Sequence, residues 1–153
     1  MRITLIKCAE WPDPEADLGA HEFTYSLLPH EGDWRQGGTV REARAFNSSL
    51  LPVLFSAGES KESSPVPFLE VDRESAAVEA VKQAEDGNGF IIRFCEHHGS
   101  RGKVTVKTAF QRFSVTECNL MEEPCGDKEE CNSGRFSFHL GPYELKTFRI
   151  ITV

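Results

Sequence analysis

The sequence predicts an all-β fold: an antiparallel β-sandwich of about nine short strands with one short helix. Three observations carry this expectation. Apolar and polar residues alternate with period two in residues 89–96, 103–110 and 135–140, the spacing of strands that bury one face. Turn-forming pairs separate such runs, as in Asp86-Gly87, Asn88-Gly89 and Gly141-Pro142. Helical spacing is clear in a single stretch, residues 36–46. With no internal repeat or linker in sight, residues 1–153 read as a single domain.

Taken in order, residues 2–8 read as a strand with Ile3 and Leu5 on one face and Ile6 and Cys8 on the other. Two apolar faces place it between layers. A chain that opens directly in a strand reads as a piece of something larger. Residues 10–19 form a loop, because Pro12 and Pro14 prevent regular pairing and Asp13 and Asp17 favour turns. In residues 21–34, HEFTYSLLPHEGDW, Phe23, Tyr25 and Leu27 alternate with Glu22, Thr24 and Ser26. That is again a half-buried strand, ended by Pro29, which lacks a ladder donor. The Gly32-Asp33 turn then leads to Trp34, an apolar anchor.

Residues 36–46 form the helix: Val40, Ala43 and Phe46 recur at near-helical spacing, Thr39 caps the start and Asn47 ends it. Residues 50–55 are a short apolar strand interrupted by Pro52, which suits an edge. Residues 56–65, SAGESKESSP, are a polar loop, and 66–71 a strand. Residues 75–86 are ambiguous on their own. Helix formers, a capping Ser75 and a terminating Gly87 favour a helix. The thin apolar stripe of Val78 and Val81, with the hairpin-turn pairs that follow, favours a strand.

In residues 89–96, Phe90, Ile92 and Phe94 face one way, and Ile91, Arg93 and Cys95 the other. Residues 97–102 turn. Residues 103–110 point Val104, Val106 and Phe110 inward and Lys103, Thr105 and Lys107 outward. Residues 113–120 form another strand and 122–134 a charged loop. Residues 135–140 set Phe136, Phe138 and Leu140 against Arg135, Ser137 and His139. The final strand, 143–153, carries Phe148, Ile150, Ile151 and Val153 on both faces, so it belongs in the middle of a sheet.

Composition excludes several function classes. A net charge of −7 opposes a nucleic-acid backbone or an anionic membrane surface as partner. No apolar run approaches the ~20 residues of a membrane span, and the N-terminus lacks a signal-peptide layout. The five cysteines are odd in number and lack paired spacing, which suits reduced thiols in a cytoplasmic protein. Eleven phenylalanines against two tryptophans and two tyrosines point to a Phe-built core rather than a sugar-stacking surface.

Candidate chemistry is sparse. Cys118, Cys125 and Cys131 are separated by six and five residues, wider than the two to four that usually separate paired zinc ligands. The adjacent His97 and His98 point to opposite sides of a strand. No metal site is expected. The acidic stretch EEPCGDKEEC lacks the alternating ligands of a calcium loop and reads as solvated. There is no G-x-S-x-G elbow. A retaining glycosidase needs two carboxylates about 5–5.5 Å apart across the scissile bond, whereas Glu85 and Asp86 are turn formers. Asn47-Ser48-Ser49 fits a glycosylation acceptor and is expected to go unused without a signal peptide.

Three segments together carry a resemblance: WPDPEADLG at 11–19, HEFTYSLLPHEGDW at 21–34 and VEAVKQAEDGNGFIIRFCEHHGS at 78–100. They resemble the C-terminal β-domain of family 38 glycoside hydrolases, the α-mannosidases, and most of all their cytosolic-type branch. The likeness covers nearly the whole chain. It implies a strand at 75–86, paired through the EDGNG turn to the next, and that is the expectation adopted here. It also implies a parent enzyme that hydrolyses terminal α-linked mannose with retention. There an N-terminal α/β domain holds a zinc ion on the sugar hydroxyls, the nucleophilic aspartate and the acid/base carboxylate. No stretch of this chain resembles that domain, so no catalytic residue and no bound cofactor are assigned here.

The resemblance thus implies a non-catalytic C-terminal domain whose partners are the catalytic domain and a mannose-containing oligosaccharide, with neither nucleic acid nor membrane. His21, Glu22, Tyr25, His30, Asp33 and Trp34 are the residues expected to meet the catalytic domain or border its cleft. The plainer alternative is that they complete local hydrogen bonds at a strand end. A rival reading, a stand-alone carbohydrate-binding module, rests on Trp11 and Trp34, at least one of which is expected in the core. A third, a pure interaction domain, predicts an exposed apolar patch.

Overall fold

A computed structural model describes residues 2–48, 50–53 and 67–152. The chain forms two compact units, Met1–Phe46 and Asn47–Val153. The second unit contains all eight strands found among the described residues.

Sheet one is three-stranded, in the order β1 (Leu69–Val71), β4 (Gly102–Thr108), β7 (Arg135–Leu140). Sheet two has five strands, in the order β2 (Ala76–Gln83), β3 (Phe90–Glu96), β8 (Leu145–Thr152), β5 (Phe113–Cys118), β6 (Pro124–Cys131). Every pairing is antiparallel. The expected β-sandwich is present, and the final strand is central, between β3 and β5.

The core is where the period-two sequence pattern becomes energy. Val104 and Val106 of β4 and Phe136, Phe138 and Leu140 of β7 face Ile92, Phe94, Phe113, Val115, Phe148 and Ile150 of the other sheet. Phenylalanines make the contact between layers: the Phe94 and Phe138 rings lie 5.1 Å apart, and those of Phe138 and Phe148 4.5 Å. Each fully buried ring contributes roughly 1.5–3 kcal/mol. Phe68, Phe90 and Phe110 form a smaller aromatic cluster, with centroids 5.5–6.0 Å apart.

Within residues 75–86, Ala76–Gln83 form β2, so pairing with β3 overrides helix propensity, as the resemblance implied. The turn is closed by Ala84 N–H donating to Gly89 O at 3.0 Å, with Gly87 and Gly89 both at positive φ. Gly89 is required: a Cβ there meets the carbonyl oxygen of Ile150 at 2.2 Å.

Several expectations are corrected. Residues 124–131 are not loop but strand β6, at the edge of sheet two. Seven of its eight residues are exposed and Cys131 alone is buried, so the segment shows no alternation and needs none. Its charges suit an unpaired edge. Residues 2–8 and 21–28 form no strand, and neither do 50–53; residues 54–66, with the rest of that expected strand and the polar loop, lie outside the described residues. The helix α1 spans Thr39–Asn47, starting later than expected. Gly38, at φ +62, ends a preceding helical turn instead. Gly38 N–H donates to Arg35 O and Thr39 N–H to Trp34 O, both at 3.1 Å, the paired bonds of a glycine-terminated turn. Thr39 does not cap α1, since its Oγ1 makes no hydrogen bond among the described residues.

Candidate functional site

The six residues singled out from the sequence all lie in the N-terminal unit, where none of residues 2–46 is buried. No ladder holds them; local hydrogen bonds do. His21 Nε2 lies 3.0 Å from the Asp17 carbonyl oxygen, and its ring stacks on Phe23 at 5.9 Å. His30 Nδ1 lies 3.2 Å from Glu31 O. Its ring covers Gly37 so closely that a Cβ there would meet His30 Cγ at 2.4 Å.

Asp33 organises the next turn. Its Oδ1 accepts from the amides of Arg35 and Gln36 at 2.9 and 3.0 Å, while Gln36 Oε1 accepts from the Asp33 amide at 3.0 Å. This reciprocal arrangement is a capping box. The Gln36 amide, with the Arg35 side chain and amide, holds the Asp33 carboxyl below its ordinary value despite some desolvation. The Arg35 guanidinium also sits 4.6 Å over the Trp34 ring. Glu22 and Tyr25 stand exposed. The structure therefore places four of the six residues in two local clusters, His21 with Asp17 and Phe23, and His30, Asp33 and Trp34 within residues 30–37, while Glu22 and Tyr25 join neither.

What they share is apolar company. Leu5, Trp11, Leu18, Phe23, Leu27 and Phe46 are all exposed. Trp11, 86% exposed, and Trp34, 37% exposed, are both outside the core, against the expectation that one would be buried. Among the described residues their own unit forms no strand.

The ionisable groups of the sandwich serve its loops. Glu96 is 1% exposed. Its carboxylate accepts from the amides of His98, Gly99 and Tyr143 at 3.1, 2.8 and 3.0 Å and from the Ser100 hydroxyl at 2.7 Å. Burial pushes its pKa up, but the Ser100 hydroxyl and the backbone amides outweigh burial and hold it at about 2. One carboxylate thus ties the 97–101 turn to the 141–144 turn. Glu122 accepts from Lys82 and from the Glu85 amide, which keep its carboxyl low. Asp86 pairs with Arg149 and accepts from the Asn88 amide at 2.9 Å, so it is a turn former as expected. Burial raises the thiol pKa of Cys118 and Cys131, whereas Cys125 is exposed.

Sequence reasoning missed Glu96, whose partners lie 2–4 and 47 positions away and show no motif. It also missed the proximity of Glu79, Cys95 and His97, which strand pairing alone brings together.

Comparison with known proteins finds a likeness to one family over part of the chain. Residues 75–148 match the family model described as the glycosyl hydrolases family 38 C-terminal beta sandwich domain. Alpha-mannosidase G of Dictyostelium discoideum is 28% identical over 157 residues, 98% of this chain and 14% of the relative. Alpha-mannosidase 2C1 of Mus musculus is 28% identical over 99% of this chain and 15% of its own length. Alpha-mannosidase of Saccharomyces cerevisiae is 23% identical over 98% of this chain and 16% of its own. This chain therefore spans only a small part of these relatives. No solved structure matches.

Proposed function

We propose that this chain, whose residues 75–148 match the family 38 glycosyl hydrolase C-terminal β-sandwich model, is the non-catalytic C-terminal part of an α-mannosidase. Its role is to support the catalytic domain, which hydrolyses terminal α-linked mannose with retention around a zinc ion. The observation that carries this reading is the alignment of 98% of the chain with only 14% of an α-mannosidase. The bulk of such an enzyme, with room for its active site, lies outside the matched segment.

The N-terminal unit supports the same reading. An apolar segment with no buried residue leaves Leu5, Phe23, Tyr25 and Leu27 to be covered by something else. We assign His21, Glu22, Tyr25, His30, Asp33 and Trp34 to the contact with the catalytic domain or the rim of its cleft. The setting is that of a cytosolic-type enzyme; no described helix is long and apolar enough to cross a membrane.

The test is turnover of an aryl α-mannoside by this chain with added zinc. The expected rate is that of the blank, and turnover above it overturns the assignment. The exposed Trp11 favours one second reading, a stand-alone sugar-binding module. Calorimetric titration with mannose and mannobiose separates the two: millimolar or tighter binding lost in Trp11→Ala favours the module.

A further inference from the structure

A different set of side chains converges on the outer face of the β2–β3 pair. One carboxylate oxygen of Glu79, Sγ of Cys95 and a ring nitrogen of His97 all lie within 4.8 Å of one another. His97 Nε2 is 2.7 Å from Glu79 Oε1. We propose that Glu79, Cys95 and His97 bind a divalent cation of the zinc class, with the remaining coordination position left to water.

The backbone builds this site. Cys95 pairs with Ala77 across the ladder. The ladder runs one rung past the end of β3, where His97 N–H donates to Ser75 O at 2.8 Å. Cys95 and His97 are therefore two residues apart on one extended segment and share a face. Glu79 reaches them through an irregularity. Val78 pairs with Phe94 and Ala80 with Arg93, so Glu79 is an extra residue in β2, a β-bulge. Bulges re-aim side chains, and here the bulge swings a carboxylate over the Cys95–His97 face.

The donor set selects the ion. Zinc takes Cys sulfur at about 2.3 Å, His nitrogen at about 2.0–2.1 Å and carboxylate oxygen at about 2.0–2.2 Å in a tetrahedron, which places donors roughly 3–4 Å apart. His97 Nε2 and Glu79 Oε1, at 2.7 Å, stand closer than that, and all three donors lie within 4.8 Å of one another, so small side-chain rotations would bring them to it. A thiolate and an imidazole beside a single carboxylate suit zinc or cobalt and disfavour calcium and magnesium, which require oxygen cages. On binding, the cation replaces the Glu79–His97 hydrogen bond. The Cys95 thiol releases its proton to solvent as the metal–sulfur bond forms, with no change of oxidation state. Glu79 is exposed, and Cys95 and His97 are half-buried, so the ion has access.

Cobalt(II), as a spectroscopic stand-in, tests the site under a non-chelating reductant. The expected result is one equivalent per chain, with a thiolate-to-cobalt charge-transfer band that zinc abolishes. Cys95→Ser removes the band. His97→Ala and Glu79→Gln weaken binding by about tenfold or more. Cys8→Ser and Cys125→Ser, at the exposed thiols, leave it intact. Absence of a band at millimolar cobalt overturns the proposal. So does a band that survives Cys95→Ser and His97→Ala but disappears with either exposed cysteine. Circular dichroism checks each fold; should Cys95→Ser not fold, His97→Ala decides by the same criterion.

Discussion

Residues 23–27 and residues 136–140 carry the same written pattern and end in opposite situations. Phe23, Tyr25 and Leu27 alternate with polar residues, as do Phe136, Phe138 and Leu140. The second set is buried between two sheets; the first is 45%, 63% and 62% exposed and forms no strand. The difference is a partner. β7 pairs with β4 over six residues, whereas residues 21–28 pair with nothing among the described residues. Alternation records that a face is meant to be covered, without saying by what. In the sandwich the cover is part of the same unit. In the N-terminal unit no described strand supplies it, and the proposed reading as one part of a larger enzyme offers a candidate cover.

Hydrogen exchange offers the sharpest measure of this contrast. Central-strand amides open only with global unfolding, whereas unpaired segments exchange freely. We expect β8 amides to exchange at least about a thousandfold more slowly than those of residues 21–28. Comparable protection in both places would break the comparison. Next in size is Phe94→Ala. Phe94 is fully buried against Phe136, Phe138 and Phe148, and its loss should cost about 3–5 kcal/mol in urea unfolding.

Acid probes the sandwich through Glu96. Its folded pKa is depressed from 4.5 to about 2, so the unfolded chain takes up the proton first. The contribution, about 3 kcal/mol, is complete above pH 4.5 and is lost as the pH falls to about 2. Urea midpoints across that window should drop in the wild type and much less in Glu96→Gln, whose starting stability is lower.

The smaller effects belong to the N-terminal unit. Asp33→Ala removes the cap of the 34–37 turn and should weaken that turn by about 1 kcal/mol, seen as a loss of helical Cα chemical shifts at Trp34–Gln36 while the sandwich resonances stay in place. Leu27→Ala should move the unfolding midpoint of this chain by no more than about 0.5 kcal/mol. A cost near that of Phe94→Ala would show that residues 21–28 have a covered face after all.

The contrast also marks what was legible in the sequence. Strands β4 and β7 could be read because their alternation and their burial agree, and β3 because Ile92 and Phe94 do, although Ile91 on its other face is buried as well. β2 could not be read from propensity, since Ala76, Ala77, Glu79 and Lys82 do not write a strand; the family likeness supplied it. β6 was missed because an edge strand with one buried residue has no pattern to show. Residues 23–27 misled for the converse reason, a pattern without a ladder. The Glu96 clamp and the Glu79–Cys95–His97 cluster depend on chain segments meeting in space, one through a bulge, and no spacing rule encodes either.

The position of β8 has a further consequence for how the sandwich is made. β8 joins β3 on one side and β5 on the other, so without it sheet two is only two separate hairpins. A nascent chain that has cleared the ribosome through Leu140 would hold those hairpins apart, with Ile92, Phe94, Phe113 and Val115 open to solvent. Assembly must await a segment whose residues lie 50 to 60 positions after their β3 partners, a long-range closure that slows folding. During that wait these apolar faces are the natural target of a chaperone.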